Sequence, residues 1–594
     1  MDEKSTFPPN QAGGQTLAPG FIRRKDISGE IPPTSKGEME IAIRELNDKK
    51  DEWVQLELPE RIRILERVLD DLWSVSERWA SLSIEAKDAR GNAFAEAEEW
   101  AFITNVLRMA RLLQKSLVQI QKHGRPRIPG PVSLHPDGQV IAKVFPQSFY
   151  DQLFLPGTTA EVWMQPGATQ EDMLAGQARF YRQPPQEGKV TLVLGAGNAS
   201  MLVPADFLYK LFVEGSVVLL KMNPVNAYLG DVLRVAFRAL IEPGYLHIVF
   251  GGADEGRYLC HHPRVDELHT TGSDKTYEEI VFGPGPEGAK RKAQRTPLLE
   301  KRFTAELGNV TPVIIVPGPW SEEDLRIQGE RLATWLTINA GFNCLTPRVI
   351  VQWAGWDRRE ALNQAVARAL EATPTRKAYY PQARQRHARY LSAHPEAGLY
   401  GDTGGDPERL PWAFITGLDP EDAGDLCFRN EPFCGLFSET ALQAGSPEDF
   451  LEHAVRFANQ ILWGNLTATL IVHPSSLKDE RMSAAVERAV AGLRYGMVLI
   501  NQFAGLGFFA VTTTWGAFPG NDRCDIQSGT GVTSNVLMFD RPQKSVVRSP
   551  FSPSPDPFSP GSRTLIPFIK KLADYQYRPT PWKMLVLSGY ALRA

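Results

Sequence analysis

The sequence predicts an α/β protein built on parallel sheet. Two observations carry this. Short β-rich runs alternate with helix-length segments between residues 190 and 273, and a second alternation of the same kind starts near Glu306. Strand–helix units at that spacing imply parallel strands joined by right-handed crossovers.

In the first alternation, 190–194 reads as a strand entering Gly195-Ala196-Gly197-Asn198, 203–213 as a helix, and 216–220 as a strand ending at Lys221. A helix over 229–241 and a strand over 246–249 lead into Gly251-Gly252, and 265–269 ends at Thr271-Gly272-Ser273. Ligands on such sheets sit at the carboxyl ends of the strands, where Asn198, Lys221, Gly251 and Gly272 fall. In the second alternation strands are predicted at 313–316, 349–351 and 497–501. Upstream, Ile62, Leu65, Leu69 and Leu72 recur every three or four residues opposite a charged face, and Trp100, Ile103, Leu107, Ala110 and Leu113 mark a second packing helix. The β-rich runs 139–145 and 158–165 read as a strand pair. Residues 1–37 read as a mobile leader and 551–562 as a low-complexity linker. The segment from 563 to 594 turns apolar and basic, which predicts packing on its own or a neighbouring subunit, with a tunnel lid or membrane contact as alternatives.

The 594 residues are 43% hydrophobic and 23% charged, proportions that exclude a wholly disordered or fibrous chain. With 65 Lys plus Arg against 69 Asp plus Glu, nothing electrostatic points to a nucleic acid partner. Five cysteines, an odd number without paired-ligand spacing, argue against a disulfide framework and fit a reducing compartment. No secretory signal and no long apolar run is evident, so a cytoplasmic protein without membrane attachment is expected. Cys260-His261-His262 does not read as a metal site, because adjacent histidines on a helix point apart; no metal is expected.

Gly195-Ala196-Gly197 alone is a weak signal. The ordered series is stronger: Gly195-Ala196-Gly197-Asn198, Val218-Leu219-Leu220-Lys221, Thr271-Gly272-Ser273, Glu306-Leu307-Gly308-Asn309, Asn339-Ala340-Gly341-Phe342-Asn343-Cys344 and Asn430-Glu431-Pro432-Phe433. This series resembles the aldehyde dehydrogenase superfamily over roughly residues 40–540. The resemblance implies an aldehyde-dehydrogenase-like fold: a parallel-sheet nucleotide-binding domain (38–138 and 166–305), an α/β catalytic domain (306–505) and a small β oligomerisation arm (139–165 with 532–546). It implies that the arm adds to another subunit's sheet, hence a homodimer or homotetramer.

The resemblance also implies roles. Cys344 matches the nucleophile, Asn198 the oxyanion donor and Glu306 the base that activates water against a cysteine thioester. Lys221 matches the adenosine-ribose contact, Glu431 the nicotinamide-ribose contact, Phe433 the ring neighbour, and Gly272 with Ser273 the turn beneath the pyrophosphate. The cofactor so implied is NAD or NADP. Pro224 stands where a ribose-binding Glu is frequent, and removing that charge makes a 2′-phosphate acceptable. Phe342 and Cys434 make the surroundings of the thiol bulkier than the family pattern, and the abundant Phe and Trp lean towards an apolar or aromatic aldehyde. The expected reaction is NAD(P)-dependent oxidation of an aldehyde to its acid. The alternatives are a CoA-dependent reductase of the same superfamily, against which Glu306 speaks, and an inactive scaffold.

Overall fold

The computed structural model describes residues 31–552 and 562–591; the leader up to residue 30 and the linker between 553 and 561 lie outside the described residues. Two sheets organise the chain. The first runs, edge to edge, through Gly529–Thr530, Arg302–Glu306, Glu267–Thr271, Val190–Leu194, Val217–Lys221 and Leu246–Val249. All neighbours are parallel except the short Gly529–Thr530. Val217–Lys221 is buried along its whole length, as a strand covered by helices on both faces must be.

The helices that cover it start early. Lys36–Gln55 opens with a reciprocal cap, in which the Glu38 N–H donates to Ser35 Oγ (3.3 Å) and Ser35 N–H to the Glu38 carboxylate (2.9 Å). The leader therefore ends before Ser35 rather than at 37, and Thr34 is already hydrogen-bonded to Phe250 (3.0 Å). Leu58–Ala86 and Ala93–His123 follow, the latter capped by Asn92 and stopped by the left-handed Gly124 (φ 76°). The helix expected over 229–241 divides into Gly230–Ala236 and Arg238–Ile241, because Phe237 leaves helical geometry (φ −119°).

The second sheet has 11 strands. Its parallel centre runs Met497–Ile500, Thr467–Ile471, Thr311–Ile315, Pro347–Trp353, Leu436–Leu442 and Trp412–Leu418. Three of these, at 412–418, 436–442 and 467–471, were not expected, because Ser, Thr and Glu interrupt their apolar pattern. The polar positions are satisfied inside: buried Glu439 accepts from Gln352 (3.1 Å) and from the Gly417 N–H (2.9 Å).

The arm strands Val140–Phe145, Thr159–Met164 and Pro542–Arg548 pair with one another, and Pro542–Arg548 also pairs in parallel with Met497–Ile500 of the same chain. The crossover through residues 501–541 returns the chain to that edge in register, so the chain fills its own sheet edge.

The C-terminal helix Leu565–Tyr577 lies on the N-terminal helices of the same chain, and Pro581–Ala591 packs on Leu565–Tyr577 and on the short helix Phe149–Phe154. Tyr577 stacks on Trp73 (centroids 5.2 Å apart), and the Lys570 ammonium sits 4.6 Å from the Trp100 ring centroid. Among the described residues no helix is long and apolar enough to cross a membrane.

Candidate active site

The site forms where the strand ends of the first sheet face the loop leading into Pro347–Trp353. Asn198 leaves Val190–Leu194 through two glycines that a side chain would obstruct; a Cβ on Gly197 would lie 2.7 Å from Asn223 Oδ1. The Asn198 amide then donates to the carbonyl of Phe342 (2.9 Å), two residues before the thiol.

Cys344 is delivered by a tight turn. After helix Glu322–Thr337, Asn339 (φ 52°), Ala340 (φ 55°) and Gly341 (φ 78°) all take left-handed geometry. That conformation is costly for Asn and Ala, and a Cβ on Gly341 would lie 2.5 Å from the Cys434 carbonyl. Arg348 holds the turn, its buried guanidinium donating to the carbonyls of Gly341 (2.8 Å) and Cys434 (2.7 Å).

Glu306 ends strand Arg302–Glu306 and accepts from the Cys344 thiol, Sγ to Oε1 2.8 Å. Burial pushes the Glu306 carboxyl up to about 7; the thiol hydrogen bond opposes this and the Asp206 charge adds to it. Burial and then the Glu306 carboxylate drive Cys344 well above the usual thiol range. The resting pair is therefore a protonated thiol leaning on a carboxyl that titrates near neutrality. Trp515 lies beside the same carboxyl and pulls its pKa down in turn.

Glu431 and Phe433 arrive beside this pair. Arg386 fixes their loop by donating to the carbonyls of Pro432 and Phe433 (both 3.0 Å). Burial also brings the Glu431 carboxyl up to about 7, against the pull of Arg348, and its Oε1 is buried with no hydrogen-bond partner. Phe342, Tyr379, Tyr380 and Phe433 form a ring cluster, with Tyr380 and Phe342 each 5.0 Å from a neighbour (Phe433 and Tyr379 respectively). Gly272 joins the same centre, its N–H donating to the Glu306 carbonyl (3.0 Å). Ser273 caps helix Asp274–Phe282, and Lys221 lies at the end of its strand under helix Ala253–Cys260. Burial lowers the Lys221 pKa while Glu255 opposes, and no hydrogen bond contributes.

The structure thus brings Cys344, Glu306, Asn198, Glu431, Phe433 and Gly272 to one centre and sets Ser273 and Lys221 along the neighbouring strand ends. Sequence reasoning missed Lys87. Its ammonium, buried in the interior, donates to Glu99 (2.7 Å), to Asn339 Oδ1 (3.0 Å) and to the Asn198 carbonyl (3.2 Å). Tyr379 joins it on the Asn198 carbonyl (2.7 Å). No motif flags these residues, since their partners lie in distant segments. The other cysteines have structural settings. Burial holds the Cys260 thiol up at about 12 and the Cys434 thiol at about 11. His262 ties to Glu40 (2.9 Å), and Asp425, beside His394 and Cys427, caps helix Leu426–Arg429.

Comparison with known proteins finds a family likeness over part of the chain. The model of the aldehyde dehydrogenase family matches residues 164–394. The chain is 29% identical over 164 residues to 4-trimethylaminobutyraldehyde dehydrogenase A of Danio rerio, an alignment covering 27% of this chain and 29% of that one. Over residues 164–394 the chain is similar to the aldehyde dehydrogenase family. The chain spans under a third of the length of that curated relative. Its fold is shared much more widely. The NADP-dependent glyceraldehyde-3-phosphate dehydrogenase of Bacillus halodurans, solved with NADP, superposes with a TM-score of 0.59 at 16% identity, covering 87% of this chain and 92% of its own. Aldehyde dehydrogenase C of Pseudomonas syringae, solved as a mutant with NAD and octanal, gives 0.58 at 15% identity, covering 89% and 90%.

Proposed function

We propose that the protein oxidises an aldehyde to its carboxylic acid with NAD or NADP, through a thiohemiacetal and then a thioester on Cys344. The observation that carries this is the thiol–carboxyl pair, Cys344 Sγ 2.8 Å from Glu306 Oε1, with the Asn198 amide anchored two residues away. Glu306 takes the thiol proton as sulfur adds to the aldehyde carbon. The Asn198 amide and the Cys344 N–H face the oxygen that gains charge. A bound nicotinamide dinucleotide supplies the hydride acceptor. The thiol proton leaves Glu306 for solvent once the sulfur has added, and the carboxylate so restored draws a proton from water as the water oxygen attacks the thioester, which suits an acid titrating near neutrality.

The residues present fit that cofactor. Glu431 Oε1 is buried beside the Arg348 guanidinium (3.9 Å) and makes no hydrogen bond, which leaves it able to accept from a hydroxyl, as a ribose supplies. Lys221 donates no hydrogen bond that shifts its pKa and offers an ammonium at a strand end. Ser273 and the N–H groups opening helix Asp274–Phe282 suit a phosphate. Glu306 beside the sulfur favours water over CoA as acyl acceptor, and the ring cluster favours an apolar aldehyde.

The test is aldehyde-dependent NAD(P)H formation across aldehydes of rising chain length, with and without CoA. Cys344→Ala should abolish it. Glu306→Gln should form the thioester and release it slowly, visible as a burst followed by a rate at least tenfold lower. Activity surviving in Cys344→Ala would refute the reading.

A further inference from the structure

Helix Ala383–Ala393 carries a row of side chains at four-residue spacing: Arg386, Tyr390 and, as its C-cap, His394. Residues so spaced share one face, and this face meets the segment 425–433. Arg386 donates to the Pro432 and Phe433 carbonyls (both 3.0 Å), and the Tyr390 hydroxyl to the Asn430 carbonyl (2.6 Å). Those two clamps close on backbone. The third, at His394, meets side chains instead.

His394 Nε2 lies 3.3 Å from Asp425 Oδ1, and the Cys427 sulfur joins them, each of the three atoms within 4.8 Å of the others. Asp425 also caps helix Leu426–Arg429 by accepting from the Cys427 N–H (2.7 Å), which fixes carboxylate and thiol side by side. On the far side of the imidazole, Glu396 Oε1 is 3.5 Å from Nδ1. Among the described residues, both acids have His394 as their ion-pair partner, and no lysine or arginine pairs with either. Burial, then Asp425 by charge and hydrogen bond, push the Cys427 thiol up; Ser438 opposes this and Glu396 adds to it. Negative charge therefore gathers around the sulfur. The His394 and Asp425 side chains are 12% and 10% exposed, enough for a small ion to enter and for water to stay on it.

We propose that His394, Asp425 and Cys427 bind one Zn²⁺ ion, with water in the fourth position and Glu396 holding the imidazole. The donor set selects the metal: thiolate and imidazole suit Zn²⁺, whereas Mg²⁺ and Ca²⁺ take oxygen. In a tetrahedral zinc shell neighbouring donor atoms stand about 3.3–3.7 Å apart, a spacing the nitrogen–oxygen pair already has. A carboxylate behind Nδ1 is the outer partner that directs Nε2 of a zinc-bound imidazole at the metal. On binding, a Zn–S bond forms, the S–H bond breaks and its proton goes to solvent; no electrons are transferred. The expectation of no metal rested on adjacent histidines and on paired-ligand spacing, and these ligands have neither, since two separate segments supply them. The ion becomes the third clamp between this helix and the loop of Glu431 and Phe433. The site does not depend on the aldehyde chemistry above.

The test is metal binding by the full chain carrying Cys344→Ala and Cys524→Ser, so that the partly exposed thiols contribute nothing. After chelation and dialysis, Co²⁺ serves as an optical probe for the zinc position. One equivalent should give the near-ultraviolet sulfur-to-cobalt absorption and the visible bands of tetrahedral cobalt, and added Zn²⁺ should abolish both. Cys427→Ser should lose the sulfur band, and His394→Gln should weaken Co²⁺ binding at least roughly tenfold. Glu396→Gln, at a side chain 61% exposed, should keep the band and weaken binding about tenfold. Zn²⁺ should raise the melting temperature of the starting protein and leave that of His394→Gln unmoved. A starting protein without the sulfur band overturns the proposal, and so does a band that persists in Cys427→Ser. If Cys427→Ser does not fold, undiminished Co²⁺ affinity in His394→Gln overturns it equally.

Discussion

At the residue scale, Glu306 governs both chemistry and stability, with opposite signs. Its carboxyl sits at about 7 in the fold, above its value in an unfolded chain near 4.3. Between those values the folded chain binds the extra proton, so stability is lost as pH rises through the window. Each unit of displacement is worth about 1.4 kcal/mol. Glu306→Gln should therefore melt higher than the parent at pH 8 and alike at pH 4, read by thermal unfolding at both pH values. Deacylation should run the other way, rising with pH through about 7 in the parent and staying flat in the Gln variant. Equal melting at pH 8 would mean that the carboxyl is not destabilised by burial. This residue was legible in the sequence, because a carboxylate two residues before Gly308 stands in a motif of fixed order. Its pKa was not, since burial is made by the helices and strands around it.

At the element scale, the N-terminal helices reach into the site. Lys87, just past helix Leu58–Ala86, and Glu99, on Ala93–His123, form a buried ion pair whose ammonium also grips the loops carrying Asn198 and Asn339. Sequence periodicity located both helices, as packing helices. It could not find this pair, which bonds to residues more than a hundred positions away. Strand ends were legible for the converse reason: a parallel sheet gathers its carboxyl ends whatever the intervening residues. Lys87→Met should strip Glu99 of its counter-charge and cost about 3–5 kcal/mol. The double variant Lys87→Met/Glu99→Leu should recover most of that stability. Both should keep Cys344 alkylation by iodoacetamide near the parent rate while kcat falls roughly ten- to a hundredfold, because the amide of Asn198 loses its placement. A double variant with parental kcat would reduce Lys87 to a packing role.

At the scale of the whole molecule, the arm decides how copies of the chain relate. Strand Pro542–Arg548 makes the same backbone hydrogen bonds whether Met497–Ile500 belongs to its own chain or another, so the ladder itself does not choose between them. The connection does. Residues 501–541 tether the strand to the sheet edge it fills, and a tether of modest length acts as an effective concentration in the millimolar range, well above micromolar protein. Intrachain closure should then win unless the connection is strained. Ile500 and Arg548 are register partners on adjacent strands about 4.8 Å apart, within reach of a disulfide. In a background lacking Cys344 and Cys524, the partly exposed thiols, oxidised Ile500→Cys/Arg548→Cys should migrate as a single chain on a non-reducing denaturing gel. A covalent dimer would show that the arm is exchanged between copies. The homodimer or homotetramer that the family resemblance implied would then be held by this same strand.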